Sequence, residues 1–358
     1  MKALKKYTFA PDYAIPPGET LKEVMESLQM TQKELAVRTG LTVQSLNRIF
    51  KGEQPITYET SERLEMVTGI PVRFWNNLEM QYQEQLVKIE EKKRLKSDLQ
   101  WLKKIPLKEL KERNVIPEAD GDEENLRNTL KFFGVSSVDA WNDIWETPAV
   151  AARRSQCFET MPEYASTWIR LGEIQALNCK CRPYNKQKFL EALNKIRSLT
   201  KEPIQIFVEQ LISLCSEAGV AVALVKEMKK VPWSGAAKWL SKDKAMILLN
   251  LRGKREDKLL FSFFHEAGHI LHDSKKELYI NDGDEKNICE QRANRFAADF
   301  LIPIHYDSEI KKIRSRKEVI ALSEEIGVSP GIIAGRFQFL TKKWTWFSDF
   351  IRKLDWSE

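Results

Sequence analysis

In the run Phe263-Phe264-His265-Glu266-Ala267-Gly268-His269-Ile270-Leu271, two imidazoles and a carboxylate stand at a spacing that can do chemistry. On an α-helix, at about 100° per residue, His265 and His269 fall one turn apart on one face, so both rings can reach a single ion at roughly 2.0 to 2.1 Å. Glu266 lies on the flank of that face. A carboxylate there is suited to take a proton from a water activated at the metal, the logic of H-E-x-x-H zinc sites. The plain alternative is a polar cluster on an ordinary helix. With only four histidines in the whole chain, a chance pair in this register with Glu beside it is a poor account.

Catalytic zinc sites usually keep three protein ligands and leave a fourth position open, so a third ligand is required. The run Cys289-Glu290-Gln291-Arg292-Ala293-Asn294-Arg295-Phe296-Ala297-Ala298-Asp299-Phe300-Leu301 supplies it. Ala293, Phe296, Ala297, Phe300 and Leu301 recur at helical spacing, and the small alanines allow close approach to the first helix. Glu290 and Asn294 then share one side, Glu290 as metal ligand and Asn294 behind it, where its amide could orient an imidazole. Competing third ligands are His272, Asp273, Asp282 and Asp284. His272 is disfavoured, because a helix can hardly aim three successive side chains at one ion. Lys275 stands where a metzincin pattern would need His.

These two runs resemble the ImmA/IrrE family of metallopeptidases, in H-E-A-G-H-I-L-H followed by E-Q-R-A-N-R-F-A-A-D-F-L-I-P ending at Pro303. The resemblance extends upstream through Trp233 to Leu240, Lys244 to Leu251 and the lead-in from Leu259. One departure is Asp273, where many members carry a His. The resemblance implies a zinc-dependent endopeptidase with a gluzincin-like ligand set.

A second group with chemical potential lies near the N-terminus. Thr31 with Glu34 three residues on is a capping-box pattern that starts a helix at Gln32, and that helix stops before Gly40. Thr42 caps the next, which buries Leu46, Ile49 and Phe50 and ends at Gly52. Two short helices joined by a tight turn make a helix-turn-helix. Gln44, Ser45, Asn47, Arg48 and Lys51 then face outward with base-edge and phosphate chemistries, beside Thr42 at the helix start. Gln32 would meet a phosphate at the first helix's N-terminus. A small bundle with a solvated polar face is the plain alternative. From Pro16 to Tyr82 the chain resembles the HigA branch of the phage-repressor-like (XRE) helix-turn-helix family, notably in Gln54-Pro55-Ile56-Thr57, Arg63-Leu64 and Gly69-Ile70-Pro71-Val72-Arg73-Phe74-Trp75. That resemblance implies operator binding as a homodimer, often by an antitoxin that represses its own operon.

The elements that must position these residues follow from the rest of the chain. A charged, helix-prone stretch runs from Gln83 to Lys104 and reads as a solvated helix between domains. Leu126, Leu130, Phe132 and Phe133 mark a helix ending at Gly134, and Trp141, Trp145 and Trp168 read as core. Phe207 to Ala218 reads as a helix, and Gly219 to Val225, Ser234 to Leu240 and Ala245 to Leu251 as strands. A small sheet beside the H-E-x-x-H helix offers an edge for an extended peptide. Leu322, Gly327, Val328, Ser329 and Ile333 repeat the spacing of Leu35, Gly40, Leu41, Thr42 and Leu46. The outward face there is Pro330, Gly331, Ile332, Ala334 and Gly335, which cannot read bases, so a packing unit is expected. Trp344, Trp346, Phe347, Phe350 and Trp356 form an aromatic tail expected to dock on the protein's own surface.

With 42% hydrophobic and 30% charged residues over 358 positions, the chain can bury more than one core. A net charge of +6 is too mild to prove a polyanionic partner by itself. The five cysteines (Cys157, Cys179, Cys181, Cys215 and Cys289) are an odd number without repeated spacing, which suits reduced thiols in a cytoplasmic protein. The segment Cys179-Lys180-Cys181 alone is a weak metal signal. No run has signal-peptide character at the start or spans the roughly 20 apolar residues a bilayer needs, so no membrane partner is expected.

The expectation is an α+β, mostly helical protein. Residues 1–82 form a five-helix-type helix-turn-helix domain, 83–203 a helical linker or scaffold, 204–340 a zincin-like metallopeptidase domain, and 341–358 the tail. Function follows as an operator-binding regulator with a zinc endopeptidase whose base is Glu266, acting on a repressor or on itself, with the joint from Glu84 to Leu102 as a candidate cut site. Tyr279 and His305 are candidate oxyanion donors. The rivals are an antitoxin of a toxin-antitoxin module, holding a toxin partner, and a repressor whose metal site is sensory.

Overall fold

The computed structural model describes residues 12–146, 161–275, 278–280 and 287–356, and the chain divides into two compact units, Met1–Gln100 and Trp101–Glu358. The architecture is α+β and mostly helical, with one four-stranded sheet. Cys157, Asp282 and Asp284, three of the positions weighed in the sequence, lie outside the described residues.

The first unit contains α1 (Pro17–Ser27), α2 (Gln32–Thr39), α3 (Val43–Phe50), α4 (Tyr58–Thr68) and most of α5 (Val72–Leu102). Local chemistry sets these boundaries. The hydroxyls of Thr31, Thr42 and Thr57 accept from the backbone N–H groups of Glu34, Ser45 and Thr60 at 3.2, 3.0 and 3.2 Å, satisfying donors that the first turn leaves over. The reciprocal half of the expected capping box is not formed, because the Glu34 carboxylate pairs with Arg38 at 2.7 Å. Gly40, at φ 69°, supplies the left-handed residue that turns α2 into α3. Leu21, Leu35, Leu46, Ile49, Leu64 and Trp75 form the core. The charged stretch after Gln83 is helical as its composition suggested, and it continues α5 without a break, so the 82/83 boundary falls inside one helix.

The second unit begins with α6 (Leu107–Glu112), α7 (Asp122–Phe133), α8 (Val138–Trp141), α9 (Pro162–Asn178), α10 (Lys186–Ser198) and α11 (Ile204–Glu217). Strands β1 (Val220–Leu224), β2 (Gly235–Ser241) and β3 (Lys244–Leu249) follow, then α12 (Glu256–His272), β4 (Leu278–Ile280), α13 (Ile288–Leu301), α14 (Asp307–Ile310), α15 (Arg316–Ile326) and α16 (Pro330–Thr341). The sheet order is β1-β3-β2-β4, with β1 parallel to β3 and the other pairs antiparallel. Strand β4 was not anticipated; at three residues it is too short for an alternation pattern to reveal.

Both faces of the sheet are covered, which is why β1 and β3 read as nearly continuous apolar runs. Ala237, Trp239, Ala245, Ile247 and Leu249 join Phe263, Phe264 and Ala267 of α12 in the main core. On the opposite face, a Cβ added to Gly172 of α9 would lie 2.7 Å from Leu248, so α9 approaches the sheet closely. Part of the helical middle is therefore a layer of the same unit that carries the sheet. The repeat at α15 and α16 is a packing unit, with Val319, Leu322, Ile332, Ile333 and Phe337 in that core. The aromatic tail docks on this unit: Trp346 and Phe347 pack on Phe337 at 6.0 and 5.1 Å, and the Trp356 indole donates to Glu227 at 2.9 Å.

Candidate metal centre and nucleic-acid interface

Helices α12 and α13 build the centre. Gly268 faces Ala293, and a Cβ there would stand 3.2 Å from Ala293 Cα and from Phe296 Cδ1, so glycine lets the two backbones come close. That approach brings Glu290, in the first turn of α13, to His265 and His269. Their Nε2 atoms are 3.1 Å apart, and Glu290 reaches His265 Nε2 with Oε2 at 3.2 Å and His269 Nε2 with Oε1 at 3.1 Å. All three side chains are buried.

A second ring of contacts orients the imidazoles. His265 Nδ1 faces Asn294 Oδ1 at 2.9 Å, and His269 Nδ1 faces Asp273 Oδ2 at 2.6 Å. Because the Asp273 carboxylate can only accept, His269 donates through Nδ1, and the same assignment suits His265 opposite the Asn294 carbonyl. Asp273 is itself paired with Arg292 of α13, and the Tyr279 ring stacks on His269 at 4.6 Å. The sequence reading placed Asn294 here but set Asp273 among the competing ligands; its i,i+4 spacing from His269 was the available signal for an orienting role.

With the Nδ1 atoms donating outward, two Nε2 lone pairs and a carboxylate converge with no donor between them. Such an acceptor-only cluster is suited to a cation. Protons on both Nε2 atoms would set two N–H groups against each other at 3.1 Å, whereas a single ion satisfies all the acceptors. Tetrahedral ligands held at roughly 2.0 to 2.1 Å stand about 3.3 to 3.4 Å from one another, close to the separations found, so His265, His269 and Glu290 fit zinc.

Glu266 is fully buried, and among the described residues neither carboxylate oxygen has a hydrogen-bond partner. Burial first, and then the charge of Glu290, push its carboxyl well above the usual carboxylate range. Its potential ligand atom lies within 4.8 Å of those of the two histidines. We nevertheless place Glu290 rather than Glu266 among the ligands, because Glu290 contacts both Nε2 atoms directly. Gly235, the first residue of β2, abuts Glu266: a Cβ there would lie 2.5 Å from Oε1 and 2.9 Å from Cγ. No feature of the sequence alone marked that glycine.

His272 turns away, with its ring edge-on to Phe296 at 5.4 Å; burial, Lys186 and Arg292 lower its pKa. Tyr279 accepts the Ser274 N–H at 3.0 Å and serves as a wall against His269. His305 is exposed, against Tyr306.

In the first unit, Gln44, Asn47, Arg48 and Lys51 are exposed on α3 and its end. Gln32 bonds across to α3, to Asn47 Oδ1 at 2.7 Å and to the Val43 carbonyl at 3.3 Å. Thr42 is the cap, and the Ser45 hydroxyl accepts from Gln54 Nε2 at 2.8 Å. Sequence reasoning named Gln54 only within the family resemblance and did not foresee this contact, which spans the loop after α3. Arg63 reaches the carbonyls of Thr39 and Gly40 at 3.4 Å, supporting the turn from α4.

The fold and the two sites define a helix-turn-helix domain followed by a peptidase-like domain. In agreement, residues 21–75 match the family model described as Helix-turn-helix, and residues 222–338 match the peptidase family model described as IrrE N-terminal-like domain. The chain thus carries one domain of each kind. Among solved structures, an addiction module antidote protein of a HigA family from Coxiella burnetii is 27% identical over 24% of this chain and 92% of its own, with a TM-score of 0.22. A comparison with curated proteins finds no match. Among the described residues, no helix is long and apolar enough to cross a membrane.

Proposed function

We propose that this chain is an operator-binding regulator whose second unit is a zinc-dependent endopeptidase that cleaves a regulator protein and so lifts repression. One observation carries the enzymatic half: a buried carboxylate without a partner among the described residues, Glu266, beside an acceptor-only cluster of two imidazoles and Glu290. A purely structural metal site closes its coordination and has no use for such a group.

Zinc held there would act as a Lewis acid on water and on the scissile carbonyl. Glu266 takes the proton of the attacking water and returns it to the leaving amine, a role open to it because it is buried beside the cluster and its carboxylate oxygens are engaged by no described residue. Asp273 and Asn294 keep both imidazoles in the tautomer that leaves Nε2 available. An extended peptide could pair with β4, the edge strand on this side among the described residues, and would pass beside His269 because Tyr279 of β4 stacks on that ring. The segment 84–102 is helical, so presenting it as a strand means unwinding α5; a partner regulator, rather than this chain, is the substrate favoured. DNA binding rests on Gln44, Asn47, Arg48 and Lys51, with Gln32 bracing Asn47 and the chain acting as a homodimer.

The test incubates wild type and Glu266→Gln with zinc, operator DNA and repressors encoded nearby. Fragments should form only with wild type, and both proteins should bind zinc equally. Equal zinc binding without cleavage of any repressor tried would replace the enzyme by a metal-sensing regulator.

A further inference from the structure

The loop between α9 and α10 carries chemistry that neither the metal centre nor the helix-turn-helix uses. Cys179 and Cys181 face each other there with their sulfurs 3.8 Å apart, the Cys181 thiol directed at the Cys179 sulfur. Cys179 has extended backbone, φ −72° and ψ 124°, and in extended chain residues two apart project to the same side. Both are partly exposed, within reach of small solutes, whereas Cys215 is buried and its thiol is pushed up by that burial. The Lys244 ammonium donates to the Cys179 carbonyl at 2.6 Å, but burial and the neighbouring Cys179 thiol outweigh its charge and push the Cys181 thiol up to about 11, so Cys181 is the partner that keeps its proton.

We propose that Cys179 and Cys181 form a reversible dithiol–disulfide couple, closed by hydrogen peroxide and reopened by a thiol reductant. The Cys179 thiolate attacks a peroxide oxygen; the O–O bond breaks, one water leaves, and Cys179 becomes a sulfenic acid. The Cys181 sulfur then attacks the Cys179 sulfur, the S–S bond forms, and hydroxide departs with the Cys181 proton as a second water. Two thiols lose two electrons and two protons, and the peroxide is reduced to two waters. To bond, the two sulfurs must close from 3.8 Å to about 2.05 Å within one short loop. The same loop leads to Tyr184, whose N–H bonds the Asp243 carbonyl at 2.8 Å, and to Lys186, whose ammonium donates to the Leu271 carbonyl at 2.9 Å. The couple therefore sits on the strap that ties the last turn of α12, the helix bearing His265 and His269.

The test uses the full-length reduced protein, treated with stoichiometric hydrogen peroxide, alkylated and digested. Trypsin cuts after Lys180, so a disulfide is the bond that keeps the Cys179 and Cys181 peptides together. The expected result is one linked pair, short of two hydrogens and released by dithiothreitol, and absent from Cys179→Ser and Cys181→Ser. As a measurement on the unaltered chain, phenylarsine oxide, which bridges two close thiols with loss of water, should bind once per chain at this pair and be blocked by prior peroxide. Separate sulfinic acids at the two positions, disulfides between chains, or arsenical bound elsewhere would overturn the proposal. None of these readouts depends on peptidase activity.

Discussion

Replacing Asp273 by Asn isolates the outer support of the metal centre. The wild-type carboxylate is almost fully buried, lies 2.6 Å from His269 Nδ1 and pairs on its other side with Arg292. It fixes the ring and makes Nε2 a stronger donor to a metal. Asn can still accept from Nδ1, but it carries no charge, and its amide N–H would then face the Arg292 guanidinium as donor against donor. Loss of such a partner weakens metal binding by about 10 to 100-fold, or about 1.4 to 2.7 kcal/mol. Asn294→Ala removes only a neutral acceptor from His265 and should lie near the lower end of that range. Competition with a chromophoric chelator at fixed pH measures both, after circular dichroism has shown that the metal-free variants keep their helix content. A zinc affinity for Asp273→Asn within about twofold of wild type would refute the assigned orienting role.

Gly235→Ala should crowd Glu266 and destabilise the second unit by about 1 to 3 kcal/mol in urea unfolding; in a Glu266→Ala background the cost should largely vanish, and an undiminished cost would deny the contact. Arg352 binds buried Glu256 at the start of α12, which also accepts from Ser329 at 3.0 Å, so Arg352→Met should cost about 3 kcal/mol, and adding Glu256→Gln should recover much of it. On operator DNA, Arg48→Ala should lose about 1 to 3 kcal/mol and relax the preference at one base pair. Lys51→Ala should instead weaken all sequences alike and flatten the salt dependence, as competition binding over a range of salt would show.

How much was legible follows from the range of the forces involved. Caps at Thr31 and Thr42, the left-handed Gly40 and the apolar spacing of α3 act within one or two turns, so the helix-turn-helix could be read almost to the residue. Leu28, which helical spacing from Leu21 would turn inward, instead caps α1 and is 41% exposed, because the helix ends at Ser27. Strand β2 runs Gly235–Ser241 and α11 begins at Ile204, small shifts at ends where no side chain compels a boundary.

By itself the sequence determined that His265 and His269 share a face, because helix geometry alone places residues four apart together, and that Glu290 and Asn294 share another. Their convergence to within 3.2 Å was a matter of tertiary packing, since it depends on Gly268 admitting Ala293 and so on how closely α12 and α13 cross. Asp273 held by Arg292, Gly235 under Glu266, and Arg352 on Glu256 join residues 19, 31 and 96 positions apart. No local propensity or periodicity encodes such pairs, because each depends on the register in which distant faces come to rest. The same reason made β4 invisible: three residues become a strand only where β2 offers an edge to pair with.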